Sequence, residues 1–144
     1  MHARVGHENF GIAPGDGSLS CTLRAEKDAD LQKLVDWLIQ KAKDEAGELK
    51  LKTETTDSFP ESRNDPALFD TTTAMLSEHG IDMQPRDAPF RGSEDFGVYK
   101  DYAPTLFFFL GAGETYPPVH TEDYEFPDEL LETGIRLFTT IAKN

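Results

Sequence analysis

The feature that most restricts the fold of this chain is an uninterrupted apolar run, "TLFFFL" at residues 105–110, which lies between Pro104 and Gly111. A short apolar run without alternating polar residues is typical of a β-strand that is covered on both faces. Such a strand needs other strands along its edges and helices over its faces. The run therefore predicts an α/β fold for the second part of the chain.

Two amphipathic segments flank this run and predict the helices that cover it. In the first, Asn64 can serve as the N-cap, Pro66 occupies the first turn and Gly80 ends the helix. The second follows Pro127. The inner face of the first helix is predicted to carry Leu68, Phe69, Met75 and Leu76, and that of the second Leu131, Ile135, Phe138 and Ile141, with Leu130 and Leu137 beside them. Residues 82–92 contain prolines and no periodicity, which predicts a loop or a short edge strand.

The first 58 residues predict a separate lobe of α+β type. Residues 18–25 and 49–55 each alternate apolar with polar side chains, the pattern of a half-buried strand. Between them, Asp30 is a candidate N-cap of an amphipathic helix that Gly47 ends. This order of elements predicts half of a split β-α-β arrangement. The stretch "SFPESRNDP" marks the boundary between residues 1–58 and 59–144.

Composition excludes several classes of function. The chain has 27 acidic and 14 basic residues, a formal charge of -13, which disfavours nucleic acid and anionic membranes as partners. Its only cysteine, Cys21, lies on the apolar side of a predicted strand, so we expect a buried thiol and no disulfide. No apolar run reaches the roughly 18 residues of a membrane span, and the start does not resemble a signal peptide. These observations favour a cytoplasmic protein.

His120 is the first candidate for chemistry, because a loop after a strand end is where α/β proteins place ligands. The spacing alone leaves two interpretations open, a surface histidine or a metal ligand. Glu122, Asp123 and Glu125 could supply oxygen ligands, although a run of acids is also typical of a solvated surface. No H-x-x-x-H or H-E-x-x-H pattern accompanies them.

The other candidates also have two interpretations. Glu94 and Asp95 in "GSEDF" could act as an acid–base pair, or Asp95 could cap a helix that begins at Phe96. Arg24 at the end of a predicted strand could bind an anion or simply be solvated. The glycines of "LGAG" allow close approach of a ligand or of a neighbouring strand.

Taken together, these segments resemble a known family. "RGSEDFGVYKDYAPTLFFFLGAG" followed by "PPVHTEDYEFPDELLETG" is similar to the C-terminal end of the dinuclear-metal aminoacylase and hippurate hydrolase family, which also includes desuccinylases, carnosinases and related carboxypeptidases. "FGIAPGDGSLSCTLRAEKDADLQKLVDWL" resembles the second half of the lid domain of that family. The resemblance implies half of a ferredoxin-like lid, or dimerisation, domain at residues 1–58 and the C-terminal part of a zinc-exopeptidase-like α/β catalytic domain at residues 59–144.

The resemblance also implies roles for individual residues. His120 corresponds to the last metal ligand of the family, and Arg24 to the lid arginine that receives a substrate carboxylate. The remaining residues implied in substrate binding are Gly111 and Gly113, as a backbone wall, and Glu94 and Asp95, in a segment near the cleft. Gly11 stands where many members carry an asparagine.

Enzymes of this family hydrolyse amide bonds of N-acyl amino acids or small peptides with two divalent metals, zinc being the expected ion. Their H-x-D segment, bridging aspartate, Glu-Glu pair and lid histidine correspond to nothing in this chain. We therefore expect a portion of a metal-dependent amidohydrolase that by itself is inactive and holds no metal stably. The alternative is a free-standing acidic interaction or ligand-binding module. Uncovered strand edges and an uncovered helix face predict self-association or a homodimer.

Overall fold

The structure is a computed structural model, and it describes residues 1–86 and 88–144. Within these ranges the chain forms a mixed α/β arrangement with one two-stranded sheet and four helices, one of which is a 3-10 helix. It divides into two compact units, Met1–Glu61 and Ser62–Asn144. The assignment of residues 1–58 to a lid and of residues 59–144 to a catalytic domain stays a prediction.

The first unit begins with a hairpin of β1 (His2–Val5) and β2 (Gly17–Ser20). The strands are antiparallel, with His2 opposite Ser20 and Val5 opposite Gly17. A backbone hydrogen bond closes the loop that connects the two strands, because the Gly6 N–H donates to the Asp16 carbonyl at 2.8 Å. Gly6 has φ +59°, and a Cβ there would lie 2.8 Å from that of Pro14, so this turn requires glycine.

The strand predicted over residues 18–25 is shorter in the structure, because β2 ends at Ser20. Ser20 pairs with His2, the first residue of β1, and within the described residues the ladder does not continue past this pair. Cys21 is consequently exposed, and the prediction of a buried thiol was wrong. Arg24 lies in irregular structure rather than at the end of a strand.

The long helix α1 (Asp28–Ala46) confirms the amphipathic prediction for this segment. Its N-cap is Lys27 and not Asp30, which lies in the first turn and accepts a hydrogen bond from Lys33 at 2.7 Å. Gly47, with φ +54°, ends the helix as predicted. The first backbone N–H of the helix, that of Asp28, donates a hydrogen bond to the carboxylate of Glu61 at 3.0 Å. In return, the backbone N–H of Glu61 donates to Asp28 Oδ1 at 2.7 Å.

The strand predicted at residues 49–55 is not formed, and Leu49 is 78 % exposed. An alternating segment becomes a strand only where another strand accepts its hydrogen bonds. The hairpin of β1 and β2 is the whole sheet within the described residues. The side chains of α1 are likewise half-buried or exposed, so the predicted split β-α-β half is not completed here.

The second unit is organised by α2 (Pro66–Glu78) and α3 (Glu129–Lys143), which pack together. Leu76 of α2 is 0 % exposed and Leu137 of α3 is 2 % exposed, and they form the centre of the core. The Arg136 guanidinium of α3 donates to the His79 and Gly80 carbonyls at 2.9 and 3.3 Å. These carbonyls follow the C-terminus of α2, where a positive charge is favourable.

The N-cap of α2 is Asp65, whose side chain accepts the Leu68 N–H at 2.8 Å. The prediction that Asn64 is the cap was wrong by one residue. The Asn64 carboxamide is instead turned toward residue Phe107. It accepts the Phe107 N–H at 2.8 Å and donates to the Phe107 carbonyl at 3.2 Å. The Asn64 side chain thus makes the two hydrogen bonds to the Phe107 backbone that a peptide group of a neighbouring strand would make.

Residues 105–110 are extended and apolar but lack the neighbouring strands that the sequence predicts. One edge is bonded to residues 63–65. Besides the Asn64 contacts, the Asp65 N–H donates to the Thr105 carbonyl at 2.8 Å and Thr105 Oγ1 donates to the Arg63 carbonyl at 3.1 Å. Three residues joined mainly through side chains do not make a regular ladder, so no strand forms.

The helix α3 buries a different stripe from the predicted one. Leu131, Ile135 and Phe138, expected on its inner face, are each more than half exposed. The face toward the core contains Leu137 and Gly134, and a Cβ on Gly134 would lie 3.3 Å from the Leu110 side chain. The apolar arc of α3 is wider than the surface that the second unit offers to cover it, so one side of the arc remains in solvent.

Aromatic rings pack together on the face of residues 105–110 to which Phe107 and Phe109 belong. The ring centroids of Phe107 and Phe109 are 5.0 Å apart, Phe109 lies 4.7 Å from Phe90, and Phe107 lies 5.2 Å from Phe96. Phe96 belongs to the 3-10 helix Asp95–Asp101. The predicted loop or edge strand at residues 82–92 includes Asp87, which lies outside the described residues.

Candidate functional site

The loop that carries His120 connects the extended segment to α3 and has a regular internal construction. It starts at Gly113, where φ is +104° and a side chain would be strained. The Tyr116 N–H then donates to the Gly113 carbonyl at 3.4 Å, and Thr121 Oγ1 donates to the Pro118 carbonyl at 2.8 Å. These bonds close two short turns, at residues 113–116 and 118–121, and the second contains His120.

Two tyrosines brace this loop. The rings of Tyr116 and Tyr124 meet edge to face, with centroids 6.1 Å apart and planes at 81°. The Tyr116 hydroxyl donates to the Glu125 carbonyl at 2.9 Å. Together with the Tyr124 N–H bond to the Thr121 carbonyl at 3.2 Å, the contact holds the two ends of the loop together. His120 lies between the braced ends.

The environment of the brace raises the pKa of Tyr116. The first cause is partial burial of the phenol, and the second is the negative charge of Glu129, followed by smaller contributions from Tyr124, Glu125 and Asp128. Each of these disfavours the phenolate. At neutral pH the phenol therefore keeps the proton that it donates to the Glu125 carbonyl.

The pH dependence of stability should reveal this interaction. A raised pKa in the folded state means that the contribution of Tyr116 is present below its unfolded pKa, near about 10, and is lost as pH rises through the folded value. We expect thermal unfolding of the second unit to shift to lower temperature above this pH, and to shift less steeply in Tyr116→Phe. Tyr102→Phe, at a tyrosine that is 85 % exposed, is the matched control and should keep the wild-type slope. Equal slopes in both variants would contradict the assignment.

His120 itself has a backbone conformation that few residues adopt. Its φ is +68°, in the left-handed region, where histidine is tolerated better than most residues but less well than glycine. The side chain is exposed at the surface of the loop. Residues in this region are concentrated at functional sites, where the surrounding structure maintains the strain. The Tyr116–Tyr124 brace is the surrounding structure here.

The described residues do not form a metal site among themselves. No group of three or more histidine, cysteine, aspartate or glutamate side chains in residues 1–86 and 88–144 is placed to hold a metal ion. Glu122, Asp123 and Glu125 are therefore not assembled around His120, although they lie close to it in the sequence. A catalytic zinc site as a rule has three protein ligands, so the described part of the chain does not fit a complete one.

The other predicted site residues are distributed over both units. Arg24 belongs to the first unit and is exposed, whereas the glycines and acids belong to the second. Gly111 and Gly113 line open space, since no heavy atom lies within 4 Å of a Cβ built on either residue. Their backbone is accessible to a ligand.

Glu94 and Asp95 have a local structural role in the described chain. Glu94 is the N-cap of the 3-10 helix, and its carboxylate accepts the Asp95 N–H at 2.9 Å. The prediction that Asp95 would be the cap was wrong, because Asp95 is already the first residue of the helix. Neither carboxylate is buried, so both remain accessible from solvent.

Sequence reasoning missed the residues that hold the site in place. Asn64 was interpreted as a cap, and the tyrosines at 116 and 124 were not assigned any function. The Tyr116–Tyr124 spacing of eight residues around a Pro-Pro pair could have suggested a closed loop, because an aromatic on each side of a turn can form a contact. The pairing of Asn64 with Phe107, 43 residues away, has no local signal.

Comparison with known proteins then decides the family. The model of peptidase family M20/M25/M40 matches residues 3–144, all but the first two residues. The chain belongs to peptidase family M20. The M20 assignment confirms the resemblance found in the sequence, and it makes the protein a member of a hydrolase family whose members are generally metal-dependent.

A curated relative of this M20 chain is the "Uncharacterized hydrolase y4tI" of Sinorhizobium fredii (strain NBRC 101917 / NGR234). The two are 29% identical over 85 residues, which are 57% of this chain and 21% of the relative. The chain thus spans about a fifth of the length of the curated relative that it matches. No solved structure matches it significantly. In the described parts of the chain, every helix is too short or too polar to cross a membrane.

Proposed function

We propose that this chain is the C-terminal part of an M20 metallohydrolase that cleaves an amide bond in an N-acyl amino acid or a small peptide. The match of the family model to residues 3–144 carries this conclusion. The proposal places residues 1–58 in the lid and residues 59–144 in the catalytic domain. A cytoplasmic location is part of the proposal, and the single exposed thiol of Cys21 is compatible with a reducing compartment.

In this proposal His120 contributes one imidazole to a site of two divalent metals, with zinc as the expected ion. Its exposed side chain and its left-handed backbone, held by the Tyr116–Tyr124 brace, support this role. A cap or a packing residue would need neither the exposure nor the strained backbone.

Substrate recognition is proposed for residues in both units. Arg24 would receive the carboxylate of the substrate, since a guanidinium presents two parallel N–H donors to a carboxylate. The open backbone at Gly111 and Gly113 would form one wall of the substrate site. Glu94 and Asp95 would lie near the cleft, and their exposure supports this placement.

The chain alone is proposed to be catalytically inactive. A single imidazole cannot position a catalytic metal, for which three protein ligands are the rule. The matched part covers 21% of the curated relative, which leaves room in such a protein for the remaining ligands and the general base.

The test compares this chain with a longer chain that includes any residues encoded in frame upstream of Met1. We expect the longer chain to bind zinc and to hydrolyse N-acyl amino acids in a chelator-sensitive reaction, and the 144-residue chain to do neither. Metal content after dialysis and the rate of hydrolysis are the two measurements.

Two substitutions in the longer chain assign the role of His120. His120→Asn should abolish hydrolysis and lower the metal content while leaving the thermal midpoint of the metal-free chain unchanged, because asparagine also tolerates the left-handed region. His7→Asn is the matched control, at an exposed histidine with no proposed role, and should retain activity. Chelator-sensitive turnover by the 144-residue chain that His120→Asn removes would overturn the proposal of an incomplete site.

A further inference from the structure

The turn that carries His120 is not held by the packing of its own side chains. Residues 118–123 are all exposed, and the half-buried rings of Tyr116 and Tyr124 lie on either side of them. His120 is the third residue of the turn 118–121, a position where a positive φ is usually taken by glycine or asparagine. A φ of +68° at a histidine therefore needs support from outside the turn.

One hydrogen bond closes the loop around this turn. The Tyr116 hydroxyl donates to the Glu125 carbonyl at 2.9 Å and joins the residues that precede the turn to those that follow it. The contact of the Tyr116 ring with that of Tyr124, at 6.1 Å between centroids, holds the phenol in place for this bond. The bond of Thr121 to the Pro118 carbonyl, by contrast, closes the turn only from within.

We propose that Tyr116 is a positioning residue for His120, and that its hydroxyl bond to Glu125 fixes the left-handed backbone and thereby the direction in which the imidazole leaves the loop. The inference rests on the role proposed for His120 above. Without the bond, the two sides of the loop can separate. His120 then returns to a negative φ, because the left-handed region is unfavourable for a residue with a Cβ. The exposed side chains of the turn do not oppose this change.

The first test compares the two tyrosines of the ring pair. Tyr116→Phe keeps the ring and removes the hydroxyl that is bonded to Glu125. Tyr124→Phe is the matched control, since the Tyr124 hydroxyl makes no hydrogen bond within residues 1–86 and 88–144. In nuclear magnetic resonance spectra, the Hα and the amide hydrogen of one residue lie closer together at positive φ. We expect a strong Hα–HN contact within His120 in the wild-type 144-residue chain and in Tyr124→Phe, and a contact at least about twofold weaker in Tyr116→Phe.

The second test is a double-mutant cycle between position 116 and the backbone strain at position 120. His120→Gly relieves the strain only where the strain is present, so it should favour folding more in the wild-type background than in Tyr116→Phe. The entropy that glycine adds to the unfolded chain is the same in both backgrounds and cancels. The equilibrium constant of unfolding, followed at the Leu137 amide in the core of the second unit, should show a coupling of at least about threefold. The same cycle with Tyr124→Phe should show none.

A third measurement connects the loop to the proposed reaction. In the longer chain, Tyr116→Phe should lower the rate of hydrolysis at least about tenfold, because a small displacement of a group at the site can cost up to about a hundredfold in rate. Tyr102→Phe, at a tyrosine that is 85 % exposed, should leave the rate within about twofold. A longer chain that hydrolyses nothing would contradict the proposed function alone, because the first two tests do not depend on activity.

Several results would overturn the positioning role. They are a His120 contact that is weak in the wild-type chain, one that Tyr116→Phe leaves at full strength, an absence of coupling in the cycle, and wild-type hydrolysis by Tyr116→Phe. An equal loss in Tyr124→Phe would show that the ring pair and not the hydroxyl bond sets the backbone, and it would overturn the proposal as well. Wild-type far-ultraviolet circular dichroism in both phenylalanine variants is the check that the chain remains folded.

Discussion

Leu76→Ala is expected to unfold the second unit under conditions in which the wild-type unit is folded. Leu76 is 0 % exposed and lies at the centre of the packing between α2 and α3. Truncation of a fully buried leucine typically costs about 2–5 kcal/mol, because transfer energy is lost and a cavity remains. A domain of this size is stable by only about 5–15 kcal/mol, and a core with this few fully buried residues belongs at the lower end.

The intrinsic chromophores make this prediction easy to measure. Trp37, the only tryptophan, belongs to the first unit, and the four tyrosines all belong to the second. In urea, the tyrosine near-ultraviolet signal of Leu76→Ala should lose its transition or shift it to much lower denaturant, while Trp37 fluorescence keeps its wild-type midpoint. Leu131→Ala, the same change at a residue that is 51 % exposed, should cost less than about 1 kcal/mol. Equal effects of the two substitutions would contradict the packing described for the core.

Asn64→Ala is expected to have the second largest effect on stability. The substitution leaves both the N–H and the C=O of Phe107 without their partner in a half-buried place. An unsatisfied buried polar group costs about 1–3 kcal/mol, and two neighbouring groups bring the expected loss to about 2–4 kcal/mol. Asn64→Asp should also destabilise, because a carboxylate accepts the Phe107 N–H but is repelled by the Phe107 carbonyl.

The matched control for this prediction is Asn144→Ala. Asn144 makes one exposed bond, from its carboxamide to the Thr140 carbonyl at 2.9 Å, and its loss should cost less than about 0.5 kcal/mol. Amide exchange at Phe107 supplies a local measurement and should accelerate in Asn64→Ala but not in Asn144→Ala. If the two variants unfold at the same denaturant concentration, the Asn64 side chain does not hold the extended segment.

The helices were predictable from the sequence because their determinants are local. The apolar spacing and Gly47 predicted α1 and its C-terminus, and Pro66 and Pro127 marked the starts of α2 and α3. The N-cap of α1 was misplaced by three residues and that of α2 by one. In the case of α2, two adjacent residues, Asn64 and Asp65, can both cap a helix, and only the contact with Phe107 determines which of them does.

The strands were less predictable because a strand depends on its partner. Residues 49–55 and 105–110 have the side-chain patterns of strands, but no strand within the described residues lies beside them. The prediction that Leu131, Ile135 and Phe138 face the core failed for a similar reason. Hydrophobic periodicity identifies the apolar side of a helix, but which part of that side is buried depends on the elements that pack against it.

For the site, the resemblance identified the family and selected His120, neither of which spacing alone could establish. It could not predict the left-handed backbone of His120 or the Tyr116–Tyr124 contact, because both depend on how the loop closes. Arg24 and His120 belong to different compact units.

The pairing of Asn64 with Phe107 also sets an order of events during folding. In the first unit, β1 and β2 lie close together in the sequence and α1 is held by contacts between successive turns, so both can form within microseconds. The second unit must first bring together two segments that are 43 residues apart, and the entropy of closing that loop is lost before any contact is gained. During synthesis, α1 can be helical before residue 107 has been added. We therefore expect the Asn64–Phe107 contact to form later than the β1–β2 hairpin and α1.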